Sequence, residues 1–473
     1  MTDDRQDTQG LPLAKPLDQA AIQVLSSKVR GQLIRPENDG YDEARTVFYG
    51  GFDRYPAAIV QAEDATDVSR VVALARESNL ELAVKSGGHS LAAHGVSEGG
   101  IVLDLSKMKN LEIDVEGRTA WAETGLTAGE YTAAAAAHGL ATGFGDTRSV
   151  GIGGITLGGG VGYLVRKHGL TIDDLLAADL VTADGELLRV DAERHPDLFW
   201  AIRGGGGNFG VATRFKFRLH EVSTIVGGML ILPATPEVIA SFVAEAEAAP
   251  EELSTIANVM TAPPMPFLPA EVHGELVIMA MLAYAGEEVE AGQRAIAPFR
   301  TLAEPIVDMV KSMPYPEIYP PEEDDFHPTA VARTMFIDTI DRDVSQTILE
   351  HLRASDAPMR VAQIRVLGGA MARVSAEATA LAHRSSRIMV NVAAFYEGAE
   401  ERAAREAWVS DFAAALEQGD GGVYVNFLGD EGEGRVRAAY PGSTWDRLIE
   451  IKSRYDPTNF FRLNQNISPA IEQ

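Results

Sequence analysis

The order of apolar and polar residues divides the chain into segments of different period. Between residues 56 and 90, "PAAIVQAEDATDVSRVVALARESNLELAVKSGGHS" reads strand, helix, strand. Ile59 and Val60 are β-branched, Asp64 and Thr66 offer an N-cap, and Val68, Val71, Val72 and Leu74 lie on one helical face. The second strand, "LELAVK", runs straight into glycines. "AIQVLSSKVRGQLIR" over 21–35 has helical spacing, "GGIVLDLSKMKNLEIDVEGRTAWAETG" reads as two or three short strands, and "TAGEYTAAAAAHGL" as an alanine-rich helix ended by Gly139. "DLVTADGELLRVDAE" is a hairpin turning at Asp184 and Gly185, and Phe215, Phe217 and Leu219 alternate along a later strand.

Near residue 225 the texture changes. From there to about 430, strands alternate with Ala/Glu-rich segments that read as helices, among them "TPEVIASFVAEAEAAPEEL" and "SAEATALAHRSS". The Pro-rich stretches "MTAPPMPFLPAE" and "SMPYPEIYPPEEDDFHP" read as loops or lids over a cavity. "STWDRLIEIKSRYDP" is a helix stopped before Pro457, and an Asn- and Phe-rich tail follows.

Composition narrows the class. With 473 residues, 46% hydrophobic and 23% charged, the chain is that of a soluble globular protein of more than one domain. Its 68 Asp and Glu against 41 Lys and Arg give a net charge of −27, and no basic run is present, which argues against nucleic acid and anionic membranes as partners. There is no cysteine, so disulfides, thiolate metal sites and cysteine nucleophiles are excluded. No HExxH or paired-His pattern points to a metal. The start of the chain is not signal-like and no apolar run approaches ~18 residues, so a cytoplasmic protein is expected.

Three glycine-rich stretches carry the candidate chemistry: "SGGHS" at 86–90, "GIGGITLGGGVG" at 151–162 and "RGGGGNFG" at 203–210. Such backbone lets N–H groups converge on a diphosphate. None fits GxGxxG after a first strand or GxxxxGK[ST], which disfavours a Rossmann site and a P-loop. The whole tract from 143 to 176 is too rich in glycine for plain helix or strand, so packed loop and turn is expected. His89 is either a satisfied loop histidine or a nucleophile toward an electrophilic cofactor carbon.

"VKSGGHSLAAHG", "GGIVLDLSKM", "VGIGGITLGGGVGYLVRKHGLTIDDLLAADLVTADG", "DLFWAIRGGGGNFGVATRFKFRLHEV" and "YDPTNFFRLNQNI" together resemble, in order and spacing, the berberine bridge enzyme-like flavoproteins of the vanillyl-alcohol oxidase or PCMH-type FAD superfamily. The resemblance is close over roughly 40–225 and 420–468. It implies an α+β fold: an N-terminal arm and helix over 1–40, a PCMH-type FAD-binding domain of two α/β subdomains over 41–225, a substrate domain over 226–430 with an antiparallel sheet covered by helices, and a segment over 431–473 returning to the first domain.

The resemblance also implies roles. FAD is expected, linked covalently through His89, with Ser86, Gly87, Gly88 and Ser90 around its pyrophosphate and Lys85 as a cofactor-binding position. Gly145, Asp146, Val150, Gly151, Gly154, Gly160, Gly207, Val211, Asn426, Asn459 and Asn464 are the further cofactor-binding positions, with helix capping as the other role for Asn459. Thr147 stands where many members carry a second, cysteinyl link, so one tether is expected and an oligosaccharide substrate is less favoured. Val150 matches a position that controls O2 access, or is a core valine. Tyr424, two residues from Asn426 on an expected strand "YVNF", is the candidate base or a structural flavin contact. Asn391, Phe395 and Tyr396 on "RIMVNVAAFYEG" line the pocket or belong to the core, and His383 and Arg384 are structural or at the rim. The implied activity is hydride removal from a C–H next to O or N in an alcohol, sugar, amine or secondary metabolite, with O2 as acceptor. A dehydrogenase using another acceptor and a non-catalytic flavin-binding protein are the alternatives. A small-molecule substrate, O2 and a monomer or homodimer complete the expectation.

Overall fold

The computed structural model describes residues 19–321, 326–419 and 421–470. In the first unit, β1 (Gln32–Ile34), β2 (Ala58–Gln61), β3 (Leu82–Lys85) and β4 (Ile101–Asp104) form a sheet of order β1-β2-β4-β3, with β2 and β3 parallel to β4. Parallel strands need a crossover, and the helix Ala65–Glu77 supplies it. It begins where the cap chemistry says it should: the Asp64 carboxylate accepts the N–H groups of Thr66 and Asp67, and Val68, Val71, Val72 and Ala75 turn inward.

A second, antiparallel sheet runs β5-β6-β10-β8-β9, from β5 (Leu111–Asp114), β6 (Thr119–Glu123), β8 (Leu175–Val181), β9 (Leu187–Asp191) and β10 (Val211–Arg218). The short β7 (Leu140–Ala141) pairs with β11 (His220–Glu221). Helix Ala128–Ala136 opens with a reciprocal capping box between Thr127 and Glu130. On the strand of alternating aromatics, Phe217 meets Phe144 and Tyr131 edge-on in the core.

The second unit is one large antiparallel sheet of order β15-β12-β14-β13-β18-β19-β17. Its strands are β12 (Thr224–Pro233), β13 (Leu253–Thr261), β14 (Leu276–Tyr284), β15 (Val307–Asp308), β17 (Ala330–Ile337), β18 (Met359–Val366) and β19 (Ile388–Phe395), with β16 (Lys311–Pro314) also paired to β12. Alternate residues, among them Leu230, Ala257, Ile278, Ile364 and Val390, pack under the helices Pro236–Ala248, Val289–Arg300, Arg342–Ala354 and Arg402–Leu416. The opposite face of the sheet is turned toward the first unit, where Arg365 reaches Asp146.

Several expectations are corrected. The first helix spans Gln19–Lys28, and Gln32–Ile34 is a strand rather than its continuation; the arm before residue 19 lies outside the described residues. The glycine-dense tract holds two short helices, Ile152–Gly158 and Val165–His168. Residues 375–386 form no helix; they run as turn and irregular chain against the 203–207 loop, with Ala380 N–H donating to the Arg203 carbonyl. The return to the first unit begins earlier than 431, since Val423, Val425 and Leu428 already belong to its core.

Candidate functional site

The loop after β3 is fastened to the glycine tract rather than standing free. A Cβ on Gly87 would lie 2.2 Å from the Gly151 nitrogen, and one on Gly151 would lie 2.1 Å from Ser86 Oγ. Both glycines therefore permit the closest approach of two backbones. Ser86 Oγ donates to the Thr124 carbonyl at 2.5 Å, and Gly88 turns with φ 72°. His89 sits at the end of this turn, stacked on Phe48 with centroids 4.0 Å apart, its Nε2 2.9 Å from Ser149 Oγ. Burial lowers the imidazole pKa to about 4, with the hydrogen bond at Ser149 opposing, so the ring is neutral at pH 7.

Tyr424 and Asn426 converge on the same tract from the other side. The expected strand is a 3-10 turn over Val425–Phe427, and the turn, not strand alternation, puts the two side chains together. The Tyr424 hydroxyl accepts the Gly160 N–H at 2.7 Å and the Asn426 Nδ2 at 2.9 Å, while the same amide also donates to the Ile155 carbonyl. A Cβ on Gly158 would lie 1.9 Å from Asn426 Oδ1, so this helix turn is glycine to admit the amide. Burial raises the pKa of the Tyr424 hydroxyl, opposed by its two N–H donors and by the Arg365 cation.

The sheet of the second unit contributes a polar row on its inner face. Thr334, Asn391, Gln363 and Asn258 are successive cross-strand partners on β17, β19, β18 and β13, so they share a face. Arg365, two residues along β18, donates to Gln363 Oε1 from both Nε and NH2, and Gln363 Nε2 donates to Asn258 Oδ1 at 3.0 Å. The same guanidinium donates to the Val161 carbonyl and forms a 2.6 Å ion pair with Asp146. Asp146, Arg365, Tyr424 and Gly160 thus belong to one cluster.

The C-terminal segment closes the arrangement. Lys452 and Asp456 form a fully buried pair at 2.7 Å, and Lys452 also donates to the Asn208 and Phe461 carbonyls. Asn464 Nδ2 donates to the Gly207 carbonyl at 3.2 Å. The Oδ1 atoms of Asn459 and Asn464 are buried without a hydrogen-bond partner, and a Cβ on Gly154 or Gly207 would meet nothing within 4 Å. Orphaned buried acceptors and open space before glycine backbone fit a group that supplies donors and lies flat against the chain.

Other expected residues do different work. Lys85 gives its ammonium to Asp104 and to the Ala44 carbonyl, bracing the loop instead of facing a ligand. The Val211 side chain is core, 1% exposed beside Val60 and Leu103. Tyr396 lines a separate cleft with Phe52, Leu91, Arg333 and Arg402, away from the polar row. Phe395 ends β19, four residues beyond Asn391. Arg384 is a bidentate partner of Asp173 at 2.8 Å, and His383 is bound to the Ala438 carbonyl, so both are structural. Gly145 packs on Ile155, and Thr147 donates weakly to Asp146 at 3.4 Å. Val150 is half-buried and its carbonyl accepts the Ala128 N–H, and Ser90 O accepts the Ala93 N–H. Among the described residues no cluster suits a metal ion, and no helix is long and apolar enough to cross a membrane.

A family pattern described as an FAD binding domain matches residues 56–191, and one described as berberine and berberine like matches residues 423–468. An FAD-linked oxidoreductase of Dictyostelium discoideum is 31% identical over 423 residues, covering 88% of this chain and 89% of its own. The chain belongs to the berberine bridge enzyme-like family of FAD-linked oxidoreductases. It is accordingly an FAD-dependent enzyme of the α+β architecture expected. (R)-6-hydroxynicotine oxidase of Paenarthrobacter nicotinovorans is 28% identical over 460 residues, covering 93% of this chain and 97% of its own. The crystal structure of 6-hydroxy-D-nicotine oxidase from Arthrobacter nicotinovorans superposes with a TM-score of 0.84 at 26% identity, covering 97% of this chain and all of that one.

On the sheet face of this family member, three residues join the site that no sequence motif marks. Gln363 and Arg365 alternate on "RVAQIRV", and Asn258 lies on "STIANVMT". An apolar strand broken by a polar residue at an inward position was the available signal. Ser149 and Phe48, which hold His89, carry no pattern of their own, because each depends on a contact between distant segments.

Proposed function

We propose that the protein is an FAD-dependent oxidase that removes hydride from a C–H bond next to oxygen or nitrogen in a small alcohol, sugar or amine, with FAD tied once, through His89, and O2 as the final acceptor. Bound FAD supplies the two-electron acceptor. The observation that carries the reading is the meeting of the Tyr424 hydroxyl, fixed by Gly160 N–H and Asn426, with Arg365 and the neutral amide row of the sheet. The named activities of relatives, oxidases among them, support it.

The chain's own residues divide the work. Ser149 and Phe48 fix the orientation of the His89 imidazole and burial keeps it neutral, which leaves a lone pair available for bonding. Asn459 and Asn464 would help hold the cofactor with their unpartnered acceptor oxygens, and the bare backbone at Gly154 and Gly207 would leave room for it. Tyr424 holds its proton at Oη because burial raises its pKa, while the two N–H groups that point at that oxygen oppose the shift and stabilise the oxygen when the proton leaves. Val150, a small side chain on the segment that carries Ser149, leaves O2 access open.

Anaerobic mixing with alcohols, sugars and amines should bleach the yellow protein, and admitting O2 should restore the colour rapidly with hydrogen peroxide formed. Colour that returns only with a quinone would replace the oxidase by a dehydrogenase.

A further inference from the structure

In the polar row of the inner sheet face, most of the side-chain hydrogen-bonding capacity is occupied from within. All three Arg365 nitrogens are engaged, by Gln363, Asp146 and the Val161 carbonyl. The Gln363 amide is used at both ends, its oxygen by Arg365 and its nitrogen by Asn258. Because Arg365 can only donate, it fixes the direction of the chain: Gln363 must present oxygen to the guanidinium and nitrogen to Asn258. Thr334 Oγ1 donates to its neighbour's carbonyl at Val390, and the Asn258 amide nitrogen donates to the Met279 carbonyl at 3.5 Å. In this row one amide oxygen is left over: Asn391 Oδ1 is buried with no partner.

The surroundings are apolar. The flanking inner-face positions are Met389, Ile256 and Met281 on one side and Val361 and Met260 on the other, by the same strand registers. The carboxylate that reaches this face, Asp146, is paired with Arg365.

We propose that this face selects a neutral, largely apolar substrate that offers a single O–H or N–H donor to Asn391, and that it discriminates against polyols. The inference rests on the oxidase reading and narrows its substrate class. A buried acceptor without a partner is costly, and a ligand donor removes that cost. The terminal torsion of an asparagine is broad, so the amide can turn its oxygen toward a ligand without leaving a rotamer well. A sugar brings several hydroxyls to the same face, where one acceptor serves one of them. Each further hydroxyl left without a partner weakens binding by roughly tenfold. Unbranched, polarizable methionines instead fit a flat or irregular apolar body.

The test uses the flavin-loaded protein and two matched sets of probes, apolar compounds with one hydroxyl or secondary amine, such as phenyl-substituted alcohols and amines, and the polyols glucose and xylobiose. Binding is read from the ligand-induced rise in melting temperature and from displacement of the flavin absorption band, and turnover from anaerobic bleaching. The apolar set should half-saturate at concentrations at least tenfold below the polyols. Asn391→Leu should raise that half-saturation at least tenfold at unchanged flavin content, and should leave the ligand-free melting temperature equal or higher, since it removes an unsatisfied acceptor; a purely structural asparagine would lower it. Polyols binding as well as the apolar set, no response to the apolar set, or an unchanged half-saturation in Asn391→Leu would each overturn the proposal. Band displacement by the apolar set without bleaching would support the ligand class while removing the oxidase reading.

Discussion

Asp146 and Arg365 meet at 2.6 Å across the boundary between the two units, with the guanidinium side chain 4% exposed. A buried pair of this kind costs most when one partner is removed, because the other charge is stranded. Arg365→Met should therefore lower the unfolding free energy by about 3 kcal/mol. Asp146→Asn combined with Arg365→Met should cost less than the two single changes added together. Urea unfolding of the three variants checks this, and a loss under about 1 kcal/mol for Arg365→Met would show that the pair does not join the units.

Tyr424→Phe removes the oxygen that receives Gly160 and Asn426. The variant should keep its flavin and reduce it at least about tenfold more slowly, the usual contribution of a positioned proton-transfer group being larger still. The raised pKa of Tyr424 also sets a pH expectation. A tyrosine held neutral by burial adds stability below its unfolded pKa near ~10 and loses that contribution as pH rises through the folded value. Its ionisation should thus produce no limb in the reduction rate around pH 7. Stopped-flow reduction between pH 6 and 10 measures both effects, and an unchanged rate in Tyr424→Phe would remove the residue from the reaction.

Two kinds of glycine in the site give opposite outcomes. Gly87→Ala would drive a methyl group to 2.2 Å from the Gly151 nitrogen and should unfold or strongly destabilise the loop pair. Gly154→Ala meets no protein atom within 4 Å and should fold as well as the parent. If Gly154 faces the cofactor, the variant should bind FAD at least about tenfold more weakly, since a single methyl is felt at a close-packed surface. Thermal unfolding of the apoprotein and flavin titration separate the two, and full flavin affinity in Gly154→Ala would take that position out of the cofactor site.

His89→Ala should release its flavin on acid precipitation, whereas the parent protein's pellet should stay yellow. A colourless parent pellet would end the proposal of a covalent tether. Ser149→Ala should slow the appearance of acid-stable flavin by several-fold, because Ser149 holds the ring at 2.9 Å.

Much of the framework was legible because its signals are local. The Asp64 cap, the Gly185 turn and the Phe215–Phe217 alternation each depend on a few neighbouring residues, and each stands where expected. The return of the chain at "YVNF" was also legible as a Tyr and Asn on one side, although the geometry is a turn and not a strand. The errors came where tertiary contact overrides local preference. Alanine-rich 375–386 gives up its helix to lie on the glycine loop, where a Cβ on Gly204 would come 2.4 Å from the Leu381 nitrogen. Lys85 stands beside "SGGHS" as an expected cofactor-binding residue, but its strand register with Asp104 fixes its ammonium in an ion pair. Gln363 and Arg365 gain meaning only from Asn258 and Asp146, which are distant in the chain.

Three histidines give the folded chain a common weakness in acid. Burial holds His89 and His94 at pKa values of about 4 and His168 at about 3, each below the ordinary value of 6.5. In this range the unfolded chain binds protons that the folded chain refuses, so stability is fully present above pH 6.5 and falls as the pH drops toward 4. His94 is the cleanest probe, since it takes no part in the cluster around Tyr424 and its shift comes first from burial and then from Arg54, with Asp430 opposing. His94→Gln should change stability little at pH 7 and should recover on the order of 2 kcal/mol of the loss seen at pH 4.5. Urea midpoints of the parent and variant at both pH values decide it: parallel losses in the two proteins would mean that His94 is already protonated, or solvated, in the folded state.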